Sequence, residues 1–279
     1  ASMLDVTTTF FITLSLYFYW QAKNSEKNYF YFLSGLVMGL AVMTKGVIGL
    51  LPFLVIALYE ISLFIFYKQK FSGKLLLKYF FIIFSAFLVA FPWHYFMFKN
   101  FGKSFVDKYF LYHIWDRATS AIEGKGNPFF WYVVVMKVSM RIWFVALLGA
   151  FPHAIFKAFK KDKKYVFLSI WAVSIFLFFS AAESKLIWYI IPIYPAVCLM
   201  VGSFIERCLD FVMKKIKKLN SWSFKFVSVY ILVIFSLFYL FLNREMVYTS
   251  DLNGPQASLL KLKDEVFGIE KKVYLSNME

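Results

Sequence analysis

Apolar residues fill long stretches of this chain, and short polar or basic gaps separate them. A helix that crosses a bilayer needs about 20 mostly apolar residues, within a range of about 17 to 25, and aromatic or polar anchors support shorter ones. On that rule the pattern predicts about eight spans: residues 6–20, 29–43, 47–67, 79–97, 141–156, 165–181, 186–205 and 226–242. The second and third together are too long for one helix, so Thr44, Lys45 and Gly46 are expected to form a reversal. A polar and aromatic segment, residues 98–128, follows the fourth span, and an aromatic helix over residues 129–140 precedes the fifth. Lys137 and Arg141 oppose full burial of that helix, which is expected to lie along the interface.

Residues 1–243 therefore read as one transmembrane region and residues 244–279 as an external C-terminal segment. In the latter, Gly254 and Pro255 mark a turn, residues 257–267 have helical amphipathicity, and residues 272–275 read as a strand. One helix and one strand do not make a stable domain, so this segment is expected to be the start of a small α/β unit. Ala1 is not an initiator Met and no signal peptide opens the chain, so an internal piece of a longer protein is expected.

Composition supports the membrane reading. The chain is 61% hydrophobic and 23% aromatic, with 37 Phe, more apolar surface than a soluble core of this length can hide. The net charge of +15 suits either nucleic-acid binding or the lysines that fix membrane topology. Position decides for topology: the basic residues cluster in gaps between spans, at Lys68, Lys70, Lys74 and Lys78, at Lys157, Lys160, Lys161, Lys163 and Lys164, and from Arg207 to Lys225. Cys198 and Cys208 show neither disulfide nor CxxC metal spacing. Alternating the spans puts Lys23, Lys27 and all three clusters on one side, which the positive-inside rule makes cytoplasmic. Asp5, Lys45, residues 98–128 and residues 183–185 fall on the opposite side, as does the C-terminal segment.

Charged groups at membrane depth are costly, so those on the lysine-poor side carry two readings each. Asp5 is either a first-turn carboxylate favoured by the helix dipole or a proton acceptor facing an external cavity. Lys45 is either a snorkelling cation or, with Gly46, a seat for a phosphate. Trp93, His94, Tyr95, Tyr109, Tyr112, His113, Trp115, Asp116 and Arg117 are either an interfacial aromatic belt or a sugar and phosphate site. No His or carboxylate spacing calls for a metal. From Ser180 to Pro195 a Ser/Lys/Tyr cluster enters a helix broken by Pro192 and Pro195, whose released carbonyls must be buried in protein or line a cavity.

The string Ser184-Lys185-Leu186-x-x-Tyr189-x-x-Pro192-x-Tyr194-Pro195 resembles an element of bacterial GT-C glycosyltransferases, the group that includes the lipid A aminoarabinose transferases and relatives of the protein O-mannosyltransferases. Leu4-Asp5, Gly35-x-x-x-Gly39-Leu40-Ala41, Thr44-Lys45-Gly46, Phe91-Pro92-Trp93 and a Gly102-x-x-Phe105 run leading to His113 and Arg117 match in the same order. The resemblance covers nearly the whole chain. It implies an all-α, GT-C-like polytopic bundle in a bacterial inner membrane that moves a sugar from a polyprenyl-phosphate donor to a lipid A, glycan or protein acceptor on the periplasmic face. In that reading Asp5 is catalytic and Lys45, Arg117 and Lys185 bind the donor phosphate. Tyr189, His113, Trp93 and Tyr95 line the substrate or lipid pocket. The resemblance fixes no cofactor, and a divalent metal ion is compatible with the chemistry. Ile187 replaces a usual proline, and the family's main acidic loop residue is expected before Ala1, so part of the catalytic centre is expected outside this sequence. A transporter or flippase, suggested by the broken helix, and a structural membrane subunit are the alternatives, although no internal repeat or midplane ionisable pair favours transport.

Overall fold

The computed structural model describes residues 4–25, 27–69, 73–109, 127–215 and 221–242. Nine α-helices occur among them: α1 (Leu4–Ser25), α2 (Tyr29–Lys45), α3 (Leu51–Tyr67), α4 (Gly73–Val106), α5 (Trp131–Met140), α6 (Ile142–Phe159), α7 (Lys163–Ala181), α8 (Tyr194–Lys215) and α9 (Ser221–Leu242). Two 3₁₀ segments, Gly46–Leu50 and Ile187–Ile193, join α2 to α3 and lead into α8. No strand occurs among the described residues, as an all-α bundle requires. The strand expected over residues 272–275 and the helix over residues 257–267 lie outside them.

Among the described residues, five stretches are long and apolar enough to cross a membrane: Tyr29–Tyr67, Leu76–Tyr109, Ile142–Phe159, Lys163–Ala181 and Ile187–Phe211. The expected eight are therefore not all recovered, for identifiable reasons. Tyr29–Tyr67 counts once although it folds as two helices. Helix α1 has 22 residues, but Thr7, Thr8, Thr9, Thr13, Ser15 and Gln21 dilute its hydropathy. Helix α9 has 22 residues and contains the apolar stretch Ser228–Tyr239. Helix α5, at 10 residues, is too short to span, in keeping with an interfacial position. The chain divides into two compact units, Ala1–Cys208 and Leu209–Glu279, and the first of them contains the candidate site.

Helices α1 and α2 form an antiparallel hairpin with a polar seam. Ser15 and Ser34 each donate to the other's backbone carbonyl, at 2.8 and 2.9 Å. Nearer the α1 N-terminus, the Thr8 and Thr44 hydroxyls meet at 3.1 Å. Helix α2 packs as tightly on α4 through Gly35 and Gly39. A Cβ on Gly35 would stand 2.0 Å from Ser85 Oγ and 2.1 Å from the Ile82 carbonyl oxygen, and one on Gly39 would stand 2.7 Å from Val89 Cβ. The small-xxx-small pattern thus brings two helices together where lipid provides no hydrophobic drive.

The reversal expected at Thr44-Lys45-Gly46 is present. Helix α2 ends at Lys45, and Gly46 adopts φ 58°, ψ −137°. Helix α3 then returns beside α1, so that Tyr59 and Glu60 reach Tyr19 and Lys23. At that end Tyr19 Oη donates to Glu60 Oε1 at 2.5 Å and Lys23 Nζ donates to the same oxygen at 2.8 Å. Lys78 lies 5.1 Å from the Tyr31 ring centre and Lys163 lies 5.8 Å from that of Tyr67. Lys23, Lys78 and Lys163 therefore gather at one end of the first unit. Asp5, Lys45, Tyr109, Lys185 and Tyr189 belong to the other.

Candidate functional site

The site is built where α1 begins and α2 ends. Asp5 occupies the first turn of α1, where the helix dipole favours a carboxylate. Its Oδ1 accepts from the Lys45 ammonium in an ion pair whose side chains are 10% and 21% exposed. Thr44, next to Lys45, donates to the Ala41 carbonyl at 2.7 Å and meets Thr8 of α1, which fixes the end of α2 against the start of α1. The Lys45 ammonium also stands 4.7 Å from the centre of the Tyr189 ring, within cation–π range. That ring in turn lies 5.7 Å from the ring of buried Phe179 in α7. Three distant parts of the sequence thus converge on one ammonium.

The 3₁₀ turn beyond Lys45 faces an aromatic cluster from α4 and the residues just after it. Tyr109 Oη lies 2.8 Å from where a Cβ on Gly46 would be. His94 Nε2 is 2.9 Å from that hydroxyl, and His94 Nδ1 is 2.7 Å from the Ala90 carbonyl oxygen. A carbonyl only accepts, so Nδ1 donates to Ala90, while Nε2 and the Tyr109 hydroxyl share the second hydrogen bond. Trp93 and Phe105 pack on the same pair, with ring centres 4.9 Å from His94 and 5.1 Å from Tyr109 respectively. Trp93 therefore borders the site. Tyr95 does not: it is exposed and stacks on Phe91, one turn back on the outer face of α4.

Lys185 is 5% exposed, and its ammonium donates to the carbonyls of Asn127, at 2.9 Å, and Ala182, at 2.6 Å. Buried Tyr132 of α5 donates to the Leu186 carbonyl at 3.1 Å, and burial pushes its phenol up despite that hydrogen bond. These contacts tie residues 182–186 down and seat Tyr189. The carbonyl of Pro192 accepts from Trp171 Nε1 at 3.1 Å, so this part of the broken helix is satisfied by protein.

His113 and Arg117 lie outside the described residues. Among the described residues no group of three or more His, Cys, Asp and Glu side chains is placed to hold a metal ion. The sequence pattern did not single out Tyr132 and Phe179, whose only signal was aromatic residues flanking polar segments. Nor did it single out Glu60, a lone acid inside an apolar span, although that feature was itself a usable signal.

The fold and site define an all-α, multi-pass membrane protein with a carboxylate–ammonium–aromatic centre at its lysine-poor end. Residues 1–104 match the family described as dolichyl-phosphate-mannose-protein mannosyltransferase. The chain is 28% identical over 218 residues to an uncharacterised protein of Aquifex aeolicus (strain VF5), covering 77% of this chain and 40% of that protein. It is 29% identical over 203 residues to the undecaprenyl phosphate-alpha-4-amino-4-deoxy-L-arabinose arabinosyl transferase 2 of Proteus mirabilis (strain HI4320), covering 70% of this chain and 34% of that one. In structure it resembles ArnT from Cupriavidus metallidurans bound to undecaprenyl phosphate, with a TM-score of 0.58, 23% identity, and coverage of 82% of this chain and 40% of that one. The chain is thus GT-C-like in fold and similar in sequence to the aminoarabinose transferases, as its motifs indicate. It spans well under half the length of these relatives.

Proposed function

We propose that this chain is part of a glycosyltransferase that takes a sugar from a polyprenyl-phosphate donor and passes it to a lipid A, glycan or protein acceptor at the periplasmic face of a bacterial inner membrane. The observation that carries this reading is the convergence of Asp5, Lys45 and Tyr189 at the end of the first unit opposite Lys23, Lys78 and Lys163. Relatives named for an undecaprenyl-phosphate donor, and a structural neighbour described as bound to undecaprenyl phosphate, support the choice of donor.

In this reading the acceptor's hydroxyl or amine attacks the anomeric carbon, and the bond from that carbon to the phosphate oxygen breaks. The electron pair leaves with the lipid phosphate, where the Lys45 ammonium stabilises the developing charge. The acceptor's proton passes to the Asp5 carboxylate, and direct displacement inverts the anomeric centre. Tyr189 positions the ammonium, while Lys185 holds the segment that carries Tyr189. Arg117 and His113 remain proposed partners of the donor.

The test is transfer of a radiolabelled sugar from polyprenyl phosphate by the full-length protein. Asp5→Asn and Lys45→Ala are each expected to lower turnover by about 10²-fold or more. Unchanged turnover in both would remove the assignment.

A further inference from the structure

We infer that Asp5 occupies the donor-phosphate seat as a resident anion: the lipid phosphate displaces its carboxylate from Lys45, and that displacement is what makes the carboxylate available to the acceptor. The inference rests on the function proposed above and adds a coupling between donor binding and catalysis.

The geometry leads there directly. The same ammonium that would hold a phosphate is already paired with a carboxylate, and the pair is largely screened from water. A neutral or weakly anionic lipid has little with which to compete for that cation. A phosphate ester does, because it brings a comparable or larger charge and more acceptor oxygens. Tyr189 makes the exchange feasible. Its ring attracts the ammonium through its face, at 4.7 Å, without being an anion itself, so Lys45 retains one attachment while the other changes. Phe179 backs that ring, and Lys185 anchors the segment before it through two carbonyls. The cation's seat therefore does not depend on Asp5.

The exchange has a chemical consequence. Once the phosphate takes the ammonium, the Asp5 oxygen that accepted from Lys45 is released to accept from the acceptor's hydroxyl. A carboxylate held inactive in the empty site thus becomes a proton acceptor when the donor is seated. Asp5 determines specificity as well as accepting the proton.

Binding of undecaprenyl phosphate to the full-length protein tests this, with inorganic phosphate and an uncharged polyprenol as further probes. Removing the competing carboxylate by Asp5→Asn should tighten undecaprenyl phosphate binding by about tenfold, because the binding-competent state no longer has to be won from an ion pair. Asp5→Ser should do the same, and thermal unfolding close to wild type certifies the fold of each variant. Polyprenol binding should not change, and in a Lys45→Ala background Asp5→Asn should have a much smaller effect, because the coupling runs mainly through that ammonium. Unchanged or weaker lipid-phosphate binding in the Asp5 variants overturns the inference. Tightening for inorganic phosphate alone overturns the lipid assignment of the seat. Lost turnover with unchanged affinity removes the exchange but leaves the proposed function, whereas tighter binding with full turnover keeps the displacement and overturns its link to the chemistry, the release of Asp5 to the acceptor.

Discussion

Gly46→Ala probes the turn that presents Lys45. Gly46 sits at φ 58°, ψ −137°, a region side chains rarely enter, and forcing a residue there costs about 1–3 kcal/mol. The new Cβ would also stand 2.8 Å from Tyr109 Oη. That hydroxyl is the end of a side chain, but it is held by His94 Nε2 at 2.9 Å and backed by Phe105 at 5.1 Å. Relief of the clash therefore means loss of the His94 hydrogen bond, about another 0.5–1.5 kcal/mol. The expected destabilisation is about 2–4 kcal/mol in all, measured by SDS titration of the full-length protein in mixed micelles. Tyr109→Phe removes the clashing oxygen, so Gly46→Ala should cost about 1 kcal/mol less in that background. A cost below about 0.5 kcal/mol, or the same cost in both backgrounds, would refute this account of the turn.

Gly35→Ala places a methyl 2.1 Å from the Ile82 carbonyl oxygen and should destabilise by about 3 kcal/mol or more, since two helix backbones must part; unfolding in mixed micelles measures it. Glu60→Ala leaves Lys23 without its carboxylate and Tyr19 Oη without its acceptor, for an expected loss of about 2–4 kcal/mol, and Glu60→Gln should recover part of it by accepting from Tyr19. Tyr189→Leu removes the ring under the ammonium and should weaken undecaprenyl phosphate binding by about threefold to thirtyfold, read by equilibrium titration.

Much of the fold was legible in the sequence because membrane insertion leaves few choices. Thr44-Lys45-Gly46 interrupted a run too long for one helix, and the chain does reverse there. The gap between α5 and α6 was legible from Arg141, which adopts φ 49° at the junction of the two helices. The start of the seventh span was less legible. Residues 187–193 form a 3₁₀ turn rather than the opening of an α-helix, since Pro192 and Pro195 lack the N–H groups that α-helical pairing uses.

Side-chain partners were harder to read. Lys185 is proposed as a phosphate ligand by its charge and position, but the two carbonyls its ammonium also serves were not legible, because they depend on a connection folding back 58 residues from Asn127. Tyr95 adjoins His94 in sequence but faces outward, because successive helical residues point about 100° apart. The pairing of Asp5 with Lys45 joins residues 40 apart, and it follows from the antiparallel register of α1 and α2 set by the Ser15–Ser34 and Thr8–Thr44 contacts.

The central claim is that the Asp5–Lys45 centre lies on the side of the membrane opposite the lysine-rich gaps. Single cysteines at exposed Glu183 and exposed Lys161, in full-length protein with Cys198 and Cys208 replaced by Ser, test it with a membrane-impermeant maleimide applied to spheroplasts. Glu183→Cys should be labelled in intact spheroplasts and Lys161→Cys only after lysis; the reverse pattern would contradict the account.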